Sequence, residues 1–166
     1  QDALGREWQV ATIQLDMNMP ERFDLTCVNE EGAHERIVMI HAAIMGSIER
    51  FLSILIEHTA GHFPLWLAPE QIRILPIGER HQEYAAAVAR DLTQAGLRVS
   101  VDASSESLGK RIRNAKVGKL PYLVVVGDKE MEEGMLSVES RTQGQIGALT
   151  SASFVDTLLQ EISEKR

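Results

Sequence analysis

Cysteine is almost absent from this chain, and the lack closes off several chemistries. Cys27 has no second cysteine to pair with. Nothing near it has Cys-x-x-Cys or Cys/His ligand spacing, so neither a disulfide scaffold nor a cysteine-based metal module is encoded, and a half-buried strand thiol is the expectation. Long apolar runs are also missing. The longest, Phe51-Leu52-Ser53-Ile54-Leu55-Ile56, falls far short of the roughly 20 residues that cross a bilayer, so no membrane partner is expected. Gln1-Asp2-Ala3 offers neither an initiator methionine nor a basic leader; the expectation is an intracellular chain whose first residue is a cut. Positive charge is in short supply too. The net charge of -7 argues against a free nucleic-acid binder, whose affinity comes from neutralising phosphates. No internal repeat or low-complexity segment is present.

What remains is ordinary composition, 44% hydrophobic and 25% charged, which suits one domain or two small ones. Charge is unevenly spread. Lys110, Arg111, Arg113, Lys116 and Lys119 form a basic stretch, while acids crowd into 128–133 and the C-terminal helix. Such a stretch is either a solvated helix face or part of a binding surface, and its neighbours must decide.

The first third reads as antiparallel sheet. Trp8 to Asp16 is a strand by its β-branched content, Leu25-Thr26-Cys27-Val28 a second, and Arg36 to Ile40 a third after the turn Asn29-Glu30-Glu31-Gly32. Pro20-Glu21-Arg22 interrupts the pattern. Period-2 counting puts Gln9 on the odd face with Ile13 and Leu15, and Thr12 and Gln14 on the even face with Trp8 and Val10. All three polar residues line one pocket only if a bulge near Val10-Ala11 resets the phase. At Gly46-Ser47 the period changes to 3.6. Ser47 is placed to cap a helix whose apolar stripe, Ile48, Phe51, Leu52, Leu55 and Ile56, packs on the sheet.

The Pro-bounded Leu65-Trp66-Leu67-Ala68-Pro69 places a domain boundary between residues 67 and 68. Beyond it strands and helices alternate, the grammar of an α/β layer fold with parallel pairing. Strands are expected over 72–77, 97–101, 120–126 and 135–138, helices over 81–95, 107–116 and 153–164, with a turn at Gly127-Asp128-Lys129.

The segment Met39 to Phe51 brings His41, Gly46-Ser47 and Glu49-Arg50-Phe51 into one short stretch. It resembles motif 3 of the class II aminoacyl-tRNA synthetases, and the His upstream is similar to that of the threonyl-tRNA synthetase family. Asp2-Ala3-Leu4-Gly5-Arg6, Gln14-Leu15-Asp16, Trp66-Leu67-Ala68-Pro69, Pro121-Tyr122 and Gly127-Asp128-Lys129-Glu130 extend the likeness along the whole chain. The resemblance implies the C-terminal part of such an enzyme. Residues 1–67 would be the end of the catalytic domain, an antiparallel sheet remnant with the motif 3 helix, and 68–166 a mixed-sheet α/β anticodon-binding domain.

It also implies the activity: threonine and ATP, with magnesium, give threonyl-adenylate, which is transferred to tRNA(Thr), in a cytoplasmic homodimer serving protein biosynthesis. Arg50 would be the catalytic arginine, a rigid guanidinium fork shaped for phosphate oxygens. Gln9, Thr12, Gln14, Gly46 and Ser47 would join it around ATP or the adenylate, with Ala11 standing where the family has glycine. His41 would be one zinc ligand of a metal that demands the threonine hydroxyl and so rejects valine. The other ligands lie outside this chain, so the chain alone is expected to hold no zinc and to be inactive.

In the second half Arg113, Lys119 and Glu130 fall on positions associated with the anticodon, whose splayed bases are read by stacking and edge hydrogen bonds. Two departures stand out. Ser104-Ser105-Glu106-Ser107 replaces the family's Arg-Asn-Glu-Lys, and Glu139 replaces an arginine. The competing expectation is a non-catalytic RNA- or protein-binding module built on an anticodon-binding-type domain; Gln9, His41 and Arg50 around a motif 3 helix are what such a module would not need.

Overall fold

The computed structural model describes residues 1–2 and 4–165; Ala3, within the Asp2–Arg6 likeness, lies outside them. The chain divides into two compact units, Gln1–Ala60 and Gly61–Arg166.

In the first unit β1 (Ala11–Asp16) pairs with β4 (Met39–Ile44) in an uninterrupted antiparallel ladder from Ala11 opposite Ile44 to Asp16 opposite Met39. No bulge occurs. β1 starts after Gln9, whose amide instead donates to the Ala11 carbonyl, so Gln9 is not bound to the strand's alternation. Pro20 does not interrupt the chain but sits inside the short helix α1 (Asn18–Arg22), in the first turn, where a missing N–H costs nothing. Asp16 Oδ1 accepts the N–H groups of Asn18 and Met19 and starts that helix.

The expected third strand is two strands. β3 (His34–Arg36) closes a hairpin with β2 (Thr26–Val28), and β4 begins only at Met39 and pairs elsewhere. Between them Arg36 is drawn back to the Pro20 carbonyl and the Asp24 carboxylate. Cys27 is exposed on this hairpin, not half-buried, because two strands alone leave both faces uncovered.

Helix α2 (Ile48–Thr59) forms as expected, but Ser47 caps it by extended backbone alone, its hydroxyl lying toward Glu49. The apolar stripe does not pack as expected. No α2 residue is buried, and the sheet's own apolar face is open, with Ile13 and Ile44 each 80% exposed. A two-stranded sheet is too narrow to cover a helix.

The second unit is built on a five-stranded mixed sheet in the order β6-β5-β7-β8-β9. β5 (Ile72–Pro76) lies between β6 (Val99–Val101) and β7 (Tyr122–Val126), all parallel. β8 (Leu136–Ser140) and β9 (Gly144–Leu149) continue it antiparallel. Crossovers run through α3 (Gln82–Gln94), preceded by a 3-10 turn at Glu79–His81, and α4 (Leu108–Val117). The α/β class is as expected.

Three details differ. The turn expected at Gly127-Asp128-Lys129 opens a helix, α5 (Asp128–Glu133); β8 runs on to Ser140; and β9 went unrecognised. Gly144 and Gly147 hide that strand's pattern, and Gly147, at φ +110, sits where the β8–β9 register shifts.

The sheet is covered on both sides. Ile72, Ile74, Val124 and Val126 pack with Ala85, Val88 and Leu92 of α3 and with Phe154 and Leu158 of α6 (Ser151–Ser163). Leu123 faces the other way, toward Ala115 and Ile112 of α4.

Residues 61–67, assigned by sequence to the first domain, pack with the second unit. Leu65 belongs to its core. Gln71 bridges the Leu65 carbonyl and the Arg98 N–H, Arg98 donates to the carbonyls of Ala68 and Trp66, and Arg141 to that of Phe63.

Candidate functional site

In the first unit the ladder decides which polar groups meet. Thr12 stands opposite Ala43, Gln14 opposite His41 and Asp16 opposite Met39. Directly paired residues share a face and so do residues two apart, so Thr12, Gln14, Asp16 and His41 lie on one side of the sheet. His41 Nε2 is 3.6 Å from Asp16 Oδ2. The Asp16 carboxyl is held below its ordinary value, first by the Met19 N–H and then by Asn18 and His41.

Among the described residues no three His, Cys, Asp or Glu side chains converge on a point that could hold a metal ion. His41 and Asp16 by themselves do not make a zinc site. The Gly46 N–H donates to the Val10 carbonyl at 2.9 Å. A Cβ at Gly46 would meet only Ala43, at 3.9 Å, so nothing inside this unit requires glycine there.

Arg50, in the first turn of α2, has its guanidinium 5.9 Å from the centre of the Trp8 ring, and that of Arg6 lies 5.7 Å from the same ring. Trp8 is fixed in turn. Its Nε1–H donates to Asp2 Oδ2 at 2.9 Å, and Asp2 also accepts from Leu4 N–H, Arg6 N–H and Arg6 Nε. Its carboxyl is held far below the carboxylate range, first by the Trp8 bond. Sequence reasoning missed this cluster by counting Trp8 into the strand; an acid and a base, Asp2 and Arg6, shortly before an aromatic was the available signal.

In the second unit the basic stretch separates into different roles. Arg111 is buried, donating from Nη1 to the Asp102 carbonyl at 2.9 Å and from Nη2 to the Pro76 carbonyl at 2.8 Å. Lys110 pairs with Glu106 and Lys116 with Glu139, both at 2.6 Å; the acid at the family's arginine position thus holds a lysine from α4. Arg113 is exposed and makes no hydrogen bond or ion pair among the described residues. Glu130 Oε2 accepts the Gly127 N–H at 2.9 Å, capping α5.

These residues do not gather at one point. Glu130 follows β7 and lies at the carboxyl end of the parallel strands, whereas Lys119 precedes β7 at the opposite end.

At the carboxyl end the chain leaves β5 for β6 on one side and then leaves β6 for β7 on the other. That reversal sets the switch point between β5 and β7, and there the Ile77 N–H to Val126 carbonyl bond draws the two strand ends together. The crevice at this end, about 240 Å³, lies beside it between the loops that follow β5 and β6, with Pro76, Ile77 and Gly78 on one wall and Ala103, Ser104 and Ser105 on the other. Arg111, which lines it, holds the Pro76 carbonyl of one wall and the Asp102 carbonyl just before the other.

Near Lys119, His62 Nε2 lies 3.0 Å from Lys119 Nζ and accepts from the ammonium. Local desolvation lowers the imidazole below its usual 6.5, and the charges of Lys119 and Arg141 act in the same direction. A base with a depressed folded pKa contributes stability above the unfolded value, and that contribution is lost as pH falls below it. The urea midpoint of the second unit is therefore expected to drop as the pH falls through and below about 6.5, the ordinary imidazole value, and His62→Phe to flatten that part of the profile. Identical pH profiles for the two proteins would rule the effect out.

Among the described residues no helix is long and apolar enough to cross a membrane.

Residues 71–161 match the family model of the anticodon binding domain, and residues 1–59 that of the class II tRNA synthetase core domain (G, H, P, S and T). Threonine-tRNA ligases from Syntrophomonas wolfei and Carboxydothermus hydrogenoformans are 54% and 50% identical over 165 residues, 99% of this chain. The chain spans 26% of the length of each of these relatives. A solved structure, the RNA binding domain of threonyl-tRNA synthetase from Cryptosporidium parvum, superposes with a TM-score of 0.86 at 37% identity, covering 96% of this chain and 41% of that one.

Proposed function

The chain belongs to the anticodon binding domain family, and on that premise we propose that the protein ligates threonine to tRNA(Thr) through a threonyl-adenylate. The observation that carries the reading is the 54% identity to a threonine-tRNA ligase over 165 residues, which runs through both a class II core segment at 1–59 and an anticodon domain at 71–161. In this reading the first unit supplies part of the active site of a cytoplasmic homodimer. Arg50 meets the phosphates of ATP, bound with magnesium, and Trp8 steadies its guanidinium through the ring face. Gln9, Thr12, Gln14, Gly46 and Ser47 line the adenylate site. His41 is one of the ligands of a zinc ion whose other ligands this chain does not contain, and the chain alone does not aminoacylate.

The second unit reads the anticodon. Arg113, exposed and unpaired on α4, is the cation available for an RNA phosphate or base. Glu130, whose Oε1 makes no bond among the described residues, accepts a base amino group, and Lys119, at the opposite end of β7, contributes positive charge for the RNA backbone at a second point.

The test is binding of the chain to an RNA hairpin carrying a threonine anticodon against one with a mismatched anticodon, across a salt series. The cognate hairpin is expected to bind more tightly. Arg113→Ala is expected to weaken binding by about tenfold at low salt and to make the salt slope shallower by about one. Equal binding of the two hairpins would overturn the anticodon reading, and an unchanged Arg113→Ala would remove that residue from it.

A further inference from the structure

A buried imidazole joins two loops at the carboxyl end of the second unit's sheet. His81, 3% exposed, accepts the Gly78 N–H on Nδ1 at 3.0 Å, and its Nε2 lies 2.8 Å from Asp128 Oδ1. With Nδ1 accepting, the proton of the neutral ring sits on Nε2 and is donated to the carboxylate. Asp128 is bonded by Arg80 as well.

The same loops touch at two other places. Ile77 N–H donates to the Val126 carbonyl at 2.9 Å, and Ile77 Cδ1 covers Gly127 so closely that a Cβ there would fall 2.6 Å away. The β5–α3 loop forms one lip of the crevice, and α5, which follows β7 after Gly127 alone, carries Glu130. An aliphatic side chain could fill the space of His81; what the imidazole adds is a polar link at each end, one to the lip and one to the start of α5.

We propose that His81 is a positioning residue for RNA recognition, setting the separation between the crevice lip at 77–79 and Glu130. The inference rests on the reading of the second unit as an anticodon binder. It differs from a purely structural role because discrimination between RNAs, and not only stability, depends on the Nε2–Asp128 bond.

Two conservative variants split the two bonds. His81→Gln keeps a donor near the Nε2 position and is expected to retain the preference for the cognate hairpin. His81→Asn keeps an acceptor near Nδ1 but cannot reach Asp128, and is expected to lower that preference by about tenfold. Asp128→Ala, a change at the surface end of the same bond, should reproduce the His81→Asn result in a folded protein. All are measured well below their melting temperatures.

Ring nitrogen shifts of His81 give a readout that needs no RNA, with the proton expected on Nε2. A ring protonated on Nδ1, or equal discrimination by the unaltered chain, His81→Asn and Asp128→Ala, overturns the proposal while leaving the anticodon reading intact. An unaltered chain that does not discriminate overturns that reading, and the proposal with it.

Discussion

Arg111→Met is expected to destabilise the second unit by about 3 kcal/mol, although it removes a cation from what reads in sequence as a solvated basic helix face. The residue is 4% exposed, and both of its bonds end on carbonyls that the sheet leaves unpaired, those of Pro76 and Asp102. A charge-assisted bond of this kind contributes about 1.5–3 kcal/mol, and each carbonyl left without a donor carries its own desolvation cost. Methionine fills the volume but offers no donor.

One term reduces the loss. Arg111 Nε has no partner among the described residues, so its removal relieves one unsatisfied group. The net figure is therefore set near the lower end of what two such bonds would give. Urea denaturation combined with amide exchange in β5 and β7 checks it, since exchange in the central strands reports the opening of this unit by itself. A midpoint equal to that of the parent would show that the carbonyls find other donors. Arg113→Ala, two residues along the same helix, is expected to leave the midpoint unchanged.

The contrast between those two arginines shows what was legible in the sequence. Leu108, Arg111, Ile112 and Ala115 follow helical spacing, and three of the four are apolar. The buried stripe of α4 was therefore visible, and Arg111 stood in it. Charge alone hid the fact. Two of the parallel strands were legible because Leu120 to Val126 is apolar on both faces and Ile72 to Ile77 is apolar but for Arg73, as strands covered from two sides must nearly be. β9 was not, because its two glycines contribute no side-chain pattern.

In the first unit, starting the strand at Trp8 forced a bulge that the ladder does not contain. Thr12, Gln14 and His41 share a face by register, a property of pairing and not of either strand read singly. The positions of His81 and Asp128 could not be read from the sequence at all, since forty-odd residues separate two groups that meet only when β5 and β7 lie side by side.

Phe154→Ala is expected to cost the second unit about 3–5 kcal/mol, the largest effect of any single change considered. Phe154 is fully buried with Leu158 on α6, and its ring meets that of Tyr122 edge-on with centroids 5.6 Å apart. Alanine removes the ring's transfer energy, the edge-to-face contact and the support of β7, and the rigid sheet around the site limits how far the space can close. Tyr122 is tied in place by donating to Glu161 Oε2 at 2.6 Å, so it cannot swing inward to refill the cavity without giving up that bond.

The residue also separates stability from recognition. Phe154 meets Tyr122 at the amino end of β7, while Glu130 and the lip at 77–79 lie at the carboxyl end of the parallel strands and Arg113 lies on α4. At a temperature where the variant stays folded, its preference for the cognate hairpin should therefore equal that of the parent, even as the urea midpoint falls. A variant that lost discrimination while still folded would mean that the two ends of β7 are coupled, and the Tyr122–Glu161 pair would be the first link to examine.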